Sequence, residues 1–154
     1  MFKSRLRRLE RLFAVNPIYF ITACIMKREA ILDNPEIHQA FIDFAKGAIP
    51  RRLQVGRYMI MPDHLHFFVA FSPEAPTLSR WMKSLKNSLS KVLRNRGGLS
   101  PHWQKDFFDH VMRSEESYRE KWNYVLLNPV RSGLVANSSE WPYQGEICAF
   151  RSPS

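Results

Sequence analysis

Two histidines separated by a single residue are the strongest chemical signal in the sequence. His64 and His66 belong to residues 61–69, a segment rich in aromatic and aliphatic residues that predicts a strand. Alternate side chains of a strand point to the same face, so the two imidazoles are expected side by side, with Leu65 and Phe67 on the opposite face. Imidazole is a frequent ligand of divalent metals, and the pair therefore predicts a metal site. Two polar residues on a solvent-facing strand are the alternative.

A tyrosine and an asparagine one helical turn apart form the second signal. With about 100° of rotation per residue, Tyr124 and Asn128 fall about 40° apart on a helix, and Lys121 falls beside them. A phenol can attack phosphorus when a cation assists it, and an amide oxygen can bind that cation. An ordinary polar helix face is the alternative. Tyr118 falls on the apolar stripe with Trp122 and is expected in the core.

The elements that must position these residues follow from hydrophobic periodicity and turn residues. Strands are predicted over residues 18–25, 53–61, 65–71 and 107–112, and helices over residues 33–46, 77–94 and 114–128. The order β-α-β-β-α-β-α predicts an α+β, ferredoxin-like sandwich with an additional C-terminal helix that carries the tyrosine. The first two helices would cover one face of the sheet, and the other face would take a ligand or the last helix.

The composition describes a short and basic chain. Its 154 residues include 23 Lys and Arg against 14 Asp and Glu, which gives a formal net charge of +9. This length predicts one domain over residues 1–154, with a basic arm over 1–16 and a loop-like tail from 131 in which Trp141 packs back onto the domain. The charge indicates nucleic acid as partner. The sequence offers no apolar run of membrane-spanning length, no secretory signal and no CxxC pair, so a cytoplasmic protein is expected.

Basic residues on and around the last two long helices are predicted to bind nucleic acid through its phosphates. They are Lys83, Lys86, Lys91, Arg94, Arg113, Lys121 and Arg131. A solvated surface is the alternative for Arg113 and Arg131. The remaining histidines have no partner at metal-ligand spacing and are expected at the surface or as caps, with His110 a candidate for a place near a site. They are His38, His102 and His110.

Two segments in this order carry a family resemblance. They are Met61-Pro62-Asp63-His64-Leu65-His66 and Tyr124-Val125-Leu126-Leu127-Asn128-Pro129-Val130-Arg131-Ser132-Gly133-Leu134-Val135. The combination resembles the single-tyrosine HUH transposases, which are IS200-like, and more narrowly the REP-associated tyrosine transposases. The resemblance implies that His64 and His66 bind Mg²⁺ or Mn²⁺, that Asn128 completes the metal site, and that Tyr124 is the catalytic nucleophile.

The same resemblance implies an activity. Such proteins are metal-dependent endonucleases and strand transferases that bind hairpins of repeated extragenic palindromes and cleave the adjacent single-stranded DNA. They form a 5′-phosphotyrosine link and leave a free 3′-OH. A catalytically silent protein that binds hairpin DNA or RNA on the same fold is the second hypothesis, and a structural metal protein unrelated to DNA is the third. A monomer is favoured over a homodimer.

Overall fold

A five-stranded antiparallel sheet organises the computed structural model, which describes residues 17–150. The strands are β1 (Ile18–Cys24), β2 (Leu53–Ile60), β3 (His64–Phe71), β4 (Phe108–Met112) and β5 (Gln144–Glu146). The helices are α1 (Pro35–Gly47), α2 (Leu78–Asn95), α3 (Glu115–Leu126) and α4 (Asn128–Arg131). The strands lie in the order β4-β1-β3-β2-β5. None of the described helices is long and apolar enough to cross a membrane. The predicted basic arm at 1–16 lies outside the described residues.

The predicted α+β sandwich is confirmed, because all seven predicted elements occur in the predicted order and the strand pairs are antiparallel. The region after the tyrosine helix differs from the prediction. Helical structure does not end before Pro129, because Asn128–Arg131 form the short helix α4. Pro129 lies in the first turn of α4, where a backbone N–H would have no partner within the helix and its absence costs nothing. The tail also contains β5, which pairs with β2. Trp141 packs back as predicted, and its Nε1 donates to the carbonyl of Ile60 at 2.9 Å.

Helices α1 and α2 cover one face of the sheet. Their buried side chains pack against the odd-numbered residues of β1 and β3 in a single core, which includes Ile21, Phe41, Phe67, Val69, Trp81, Leu85 and Leu89. Burying a large apolar side chain of this kind stabilises the fold by roughly 1.5–3 kcal/mol. Asn34 caps α1 by accepting from the Ile37 N–H at 2.9 Å, and Thr77 caps α2 by accepting from the Arg80 N–H at 3.3 Å. Their periodicity and caps made these helices predictable.

Helix α3 covers only half of the other face. Trp122 and Val125 pack against Phe68 and Met112 in a second core. Ser114 caps this helix by accepting from the Ser117 N–H at 3.1 Å. The half of the face that α3 leaves open contains the start of β3, the end of β1 and the start of β4. The histidine pair lies in this open half.

The prediction that His102 lies at the surface or as a cap is wrong. Residues 100–107 pack on α2, which leaves His102 only 5% exposed. Its Nδ1 lies 3.0 Å from the hydroxyl oxygen of Ser90, which also accepts from Trp103 Nε1 at 3.1 Å. No local sequence pattern marks this contact, because it joins residues 12 or more positions apart through tertiary packing.

Replacing Ser90 by Ala is expected to lower the free energy of unfolding by about 2 kcal/mol, because a buried indole N–H loses its acceptor. Thermal or urea denaturation measures the change. Ser84→Ala on the exposed face of the same helix is the matched control and should change stability by less than about 0.5 kcal/mol. Equal stability of the two variants would show that the Ser90 hydroxyl does not support Trp103.

Candidate active site

The two predicted imidazoles meet at the start of β3. Their ring centroids lie 4.7 Å apart in an edge-to-face arrangement. The antiparallel register sets Cys24 of β1 opposite His64 and Thr22 opposite His66. Both histidines are half-buried, so they remain accessible from the open half of the sheet face.

Hydrogen bonds at Nδ1 orient both rings. Asp63 Oδ1 accepts from His64 Nδ1 at 2.7 Å, and the Thr22 hydroxyl lies 2.8 Å from His66 Nδ1. The Arg28 guanidinium also lies 3.2 Å from His64 Nδ1, but it can only donate, so the closer carboxylate determines that this nitrogen carries the proton. A proton on Nδ1 leaves the lone pair on Nε2, the form in which histidine binds a metal.

Asn128 joins the pair from the beginning of α4. Its amide nitrogen lies 3.3 Å from His64 Nε2, and rotating the amide by half a turn would present the oxygen instead. Two ligands about 2.1 Å from one cation and at right angles to each other lie about 3 Å apart. The separation therefore suits a shared cation.

The donor set fits an open metal site. Within residues 17–150, no group of three or more His, Cys, Asp or Glu side chains is arranged to hold a metal. A cation at this place would therefore have two imidazoles and one amide as protein ligands, with its other positions left for water and phosphate oxygens. Mg²⁺ in particular retains several waters and often shares its site with substrate phosphates.

The electrostatic surroundings keep both rings neutral. Burial first, and then the charges of neighbouring groups that include His64, Lys121 and Arg131, lower the pKa of His66 to about 3. Burial also lowers the pKa of His64, although the Asp63 carboxylate opposes that shift. Near pH 7 both rings are therefore neutral, which is the form in which an imidazole binds a metal.

The helix side that carries Tyr124 faces the same region. The Lys121 amine lies 5.3 Å from the centroid of the Phe20 ring, which stacks on His66 at 5.1 Å. Arg131 is close enough to lower the pKa of His66, and its guanidinium carbon lies 4.0 Å from the centroid of the Tyr124 ring. Tyr124 itself is 65% exposed. An exposed phenol thus stands beside the Arg131 guanidinium, four residues before Asn128 in the chain.

Comparison with known families assigns the chain to a family. A family profile described as "Transposase IS200 like" matches residues 14–120, which is more than half of the chain. The chain belongs to the IS200-like transposase family. This membership makes it an enzyme of the transposase class. The matched residues include His64 and His66 but end before Tyr124 and Asn128. The interpretation of Tyr124 and Asn128 as site residues therefore depends on their positions in the structure and not on the profile.

Individual relatives agree with this family. The transposase is 26% identical over 127 residues to the REP-associated tyrosine transposase of Escherichia coli K12, with 81% of this chain and 73% of that protein covered. A putative REP-associated tyrosine transposase of Haemophilus influenzae is 22% identical over 141 residues, with 85% and 80% covered. The resemblance to REP-associated tyrosine transposases is confirmed by these matches.

Solved structures share the fold. A REP-associated tyrosine transposase bound to a REP hairpin superposes with a TM-score of 0.68 and 23% identity, over 83% of this chain and 75% of that one. A putative transposase from Deinococcus radiodurans gives a TM-score of 0.52 and 16% identity, over 71% and 88% of the two chains. The architecture of this IS200-like transposase therefore has experimentally determined counterparts.

The predicted DNA-binding residues of the transposase divide between two surfaces. Lys121 and Arg131 lie beside the histidine pair, whereas the basic residues of α2 lie on the helix that covers the opposite face of the sheet. Lys83, Lys91, Arg94 and Arg113 are exposed. Lys86 differs, because its amine donates to the carbonyls of Gln104 and Asp106 at 3.1 and 3.2 Å, and burial lowers its pKa.

Three residues of the site were not predicted from the sequence as parts of it. Thr22 and Phe20 contact His66 only because β1 pairs with β3 in this register. Arg28 donates to Asp63 Oδ2 at 2.8 Å from a turn that follows β1. Residue type gives no signal for any of them, since an unaligned sequence does not reveal which strand residues face each other.

Proposed function

We propose that this transposase is a metal-dependent endonuclease and strand transferase acting on single-stranded DNA, with Tyr124 as its nucleophile. One observation carries the proposal: the Nε2 of His64 lies 3.3 Å from the amide of Asn128, and an exposed Tyr124 lies four residues before that asparagine, near the end of α3. Metal ligands and a nucleophile on one surface are what phosphodiester cleavage by a tyrosine requires.

His64, His66 and Asn128 would hold Mg²⁺ or Mn²⁺. When bound, the cation would supply Lewis-acid stabilisation of the scissile phosphate. The protein holds the two imidazole lone pairs in position through the Asp63 carboxylate and the Thr22 hydroxyl. The ligand set carries no negative charge of its own, which favours the approach of an anionic phosphate.

Tyr124 would attack the phosphorus in line with the leaving 3′ oxygen. The bond between the phenol oxygen and phosphorus forms, the P–O3′ bond breaks, the phenol proton passes to solvent, and the 3′ oxygen takes up a proton. The product is a 5′-phosphotyrosine and a free 3′-OH. Because the new ester retains the energy of the phosphodiester bond, a 3′-OH from another strand can reverse the step and join to the DNA. Lys121 and Arg131 lie where they would stabilise the negative charge on the phosphate.

The proposed substrate is DNA with a hairpin beside a single strand. A structurally similar transposase was solved bound to a REP hairpin, which supports this class of partner. The net charge of +9 supports a polyanion in general, and the exposed Lys83, Lys91, Arg94 and Arg113 are candidates to contact its phosphates. Action as a monomer stays a prediction, which sedimentation of the protein at working concentration tests.

Incubating the protein with a hairpin oligonucleotide that carries single-stranded flanks tests the activity. With Mn²⁺ or Mg²⁺, a covalent protein–DNA band is expected on a denaturing gel, together with a shortened oligonucleotide ending in 3′-OH. EDTA should remove both products. Salt-sensitive retention of the hairpin without a covalent band under either metal would contradict the nuclease proposal and favour the catalytically silent binder.

Replacing Asp63 by Asn is expected to raise the Mn²⁺ concentration needed for half-maximal cleavage by about tenfold, because the partner of a metal-binding histidine typically contributes 10- to 100-fold to metal affinity. A Mn²⁺ titration of the cleavage rate measures the shift. Asp43→Asn, at an exposed position of α1, is the matched control. An unchanged titration curve for the Asp63 variant would mean that the carboxylate does not orient His64.

A further inference from the structure

An aromatic ring stands exposed on the open half of the sheet face. Phe108, the first residue of β4, is 71% exposed, whereas phenylalanine is one of the residue types most often fully buried. Strand β4 is the edge of the sheet in the described part of the chain, so the ring has no neighbouring strand on its outer side.

The sheet register places this ring in line with the histidine pair. Phe108 is opposite Thr22, and Thr22 is opposite His66, so the three residues form one row across β4, β1 and β3. Residues directly opposite in a sheet point to the same face. Adjacent strands are about 4.8 Å apart, so the Phe108 and His66 backbones are about 10 Å apart.

Two neighbours on β4 confirm which face this is. Met112 is on the same face by alternation and is buried in the second core beneath α3. His110 lies between Met112 and Phe108, is exposed, and is opposite Phe20. Helix α3 therefore covers β4 at Met112 but not at His110 or Phe108, and the rings of these two residues are exposed to solvent.

We propose that Phe108 is a stacking platform for a nucleobase of the single strand that leads to the scissile phosphate. The inference rests on the proposed function, since it assigns a binding role to a surface beside that site. A nucleotide combines a flat apolar base with a negative phosphate. The open face matches both parts, with an aromatic ring at its edge and the cations Lys121 and Arg131 beside His66.

This chemistry distinguishes the platform from a surface that reads sequence. Stacking on a phenylalanine ring accepts any of the four bases, because each has an apolar face. The platform would contribute affinity for the single-stranded flank and would hold the strand across the row of residues that ends at His66. It would not contribute to binding of the paired hairpin stem.

Phe108→Leu separates stacking from general apolar contact. The variant is expected to bind a hairpin with a single-stranded flank about tenfold more weakly than the unmodified protein, because a stacked base loses its aromatic partner. Phe108→Trp should restore the affinity. A hairpin with no flank should bind all three proteins equally. Fluorescence anisotropy of labelled oligonucleotides in EDTA provides the measurement without cleavage.

The tryptophan variant also reports stacking directly. The four native tryptophans are 8% exposed or less, so Phe108→Trp adds a fluorophore in a different, solvent-exposed environment. Adding an oligo-dT with a hairpin should quench its emission. Ile49→Trp is the matched control, because Ile49 is 45% exposed and precedes β2, whose first residue pairs with the end of β3 remote from His64. Its emission should not respond.

The outcomes separate this inference from the proposed function. Equal flank binding by Phe108→Leu and the unmodified protein, or unquenched emission from Phe108→Trp, overturns the platform even if the covalent adduct forms normally. Quenching and weakened binding support the platform even if no adduct forms with any metal. Self-association that Phe108→Leu abolishes, with flank binding unchanged, would assign the ring to a contact between two copies of the chain and overturn the inference.

Discussion

Replacing Tyr124 by Phe is expected to reduce formation of the covalent protein–DNA adduct by at least about 1,000-fold. The substitution removes one oxygen atom, and with it the group that would bond to phosphorus. Removing a nucleophile eliminates the covalent route, so what remains is background hydrolysis, which leaves no protein attached to DNA. A denaturing gel of the Mn²⁺ reaction, quantified over time, measures the loss.

Fold and DNA binding should survive this substitution. Tyr124 is 65% exposed and its hydroxyl supports no core contact, so hairpin affinity and thermal stability are expected to stay within experimental error. Tyr118→Phe is the matched control on the same helix, where the ring packs on Phe68 at 4.3 Å in the second core. It should retain the adduct. Loss of the adduct in the Tyr118 variant, with retention in the Tyr124 variant, would reverse the assignment of the nucleophile.

The two chemical segments could be predicted because each is local in sequence. His64 and His66 share a face through the two-residue period of a strand. Tyr124 and Asn128 are one helical turn apart in sequence, although the structure places them in the successive helices α3 and α4 rather than in the single helix predicted over residues 114–128. Neither relation depends on the rest of the chain. The meeting of Asn128 with His64 does depend on it, since 64 residues separate them, and the family resemblance supplied that expectation.

The unpredicted partners are products of long-range pairing and of strained backbone. Lys27 and Arg28 have positive φ values of 56° and 54°, a conformation that residues other than glycine rarely adopt. This turn directs the Arg28 guanidinium to Asp63 and, through it, to His64. A sequence with Lys and Arg at these positions predicts no such turn, because the propensity of both residues opposes it.

The strand in the C-terminal tail was not predicted, because it too depends on pairing with a distant part of the chain. Strand β5 consists of Gln144–Glu146, three residues with no alternation of apolar and polar types. It is a strand because β2 offers an unpaired edge, which Arg57 reinforces through an ion pair with Glu146 at 3.3 Å. Edge pairing of this kind is determined by the partner strand rather than by the local sequence.

Replacing His66 by Ala is expected to lower metal-dependent cleavage by about 1,000-fold. His66 would supply one of only three protein ligands, so its loss leaves a cation held by His64 and Asn128 alone. Burial and nearby charges lower the pKa of His66 to about 3, so its imidazole is neutral near pH 7, which is the form that binds a metal. Mn²⁺ affinity, measured by calorimetry, should fall with the cleavage rate.

Comparing DNA binding with Mn²⁺ binding shows whether His66 acts as a metal ligand or only supports the structure of the surface. Hairpin binding in EDTA should be unchanged in His66→Ala, because the paired stem does not need the metal ligand. Thr22→Val, which removes only the hydroxyl 2.8 Å from Nδ1, should weaken Mn²⁺ binding by about tenfold, and excess Mn²⁺ should rescue its cleavage. Full Mn²⁺-dependent cleavage by His66→Ala would mean that the cation binds elsewhere, and the assignment of this histidine pair as the metal site would then be wrong.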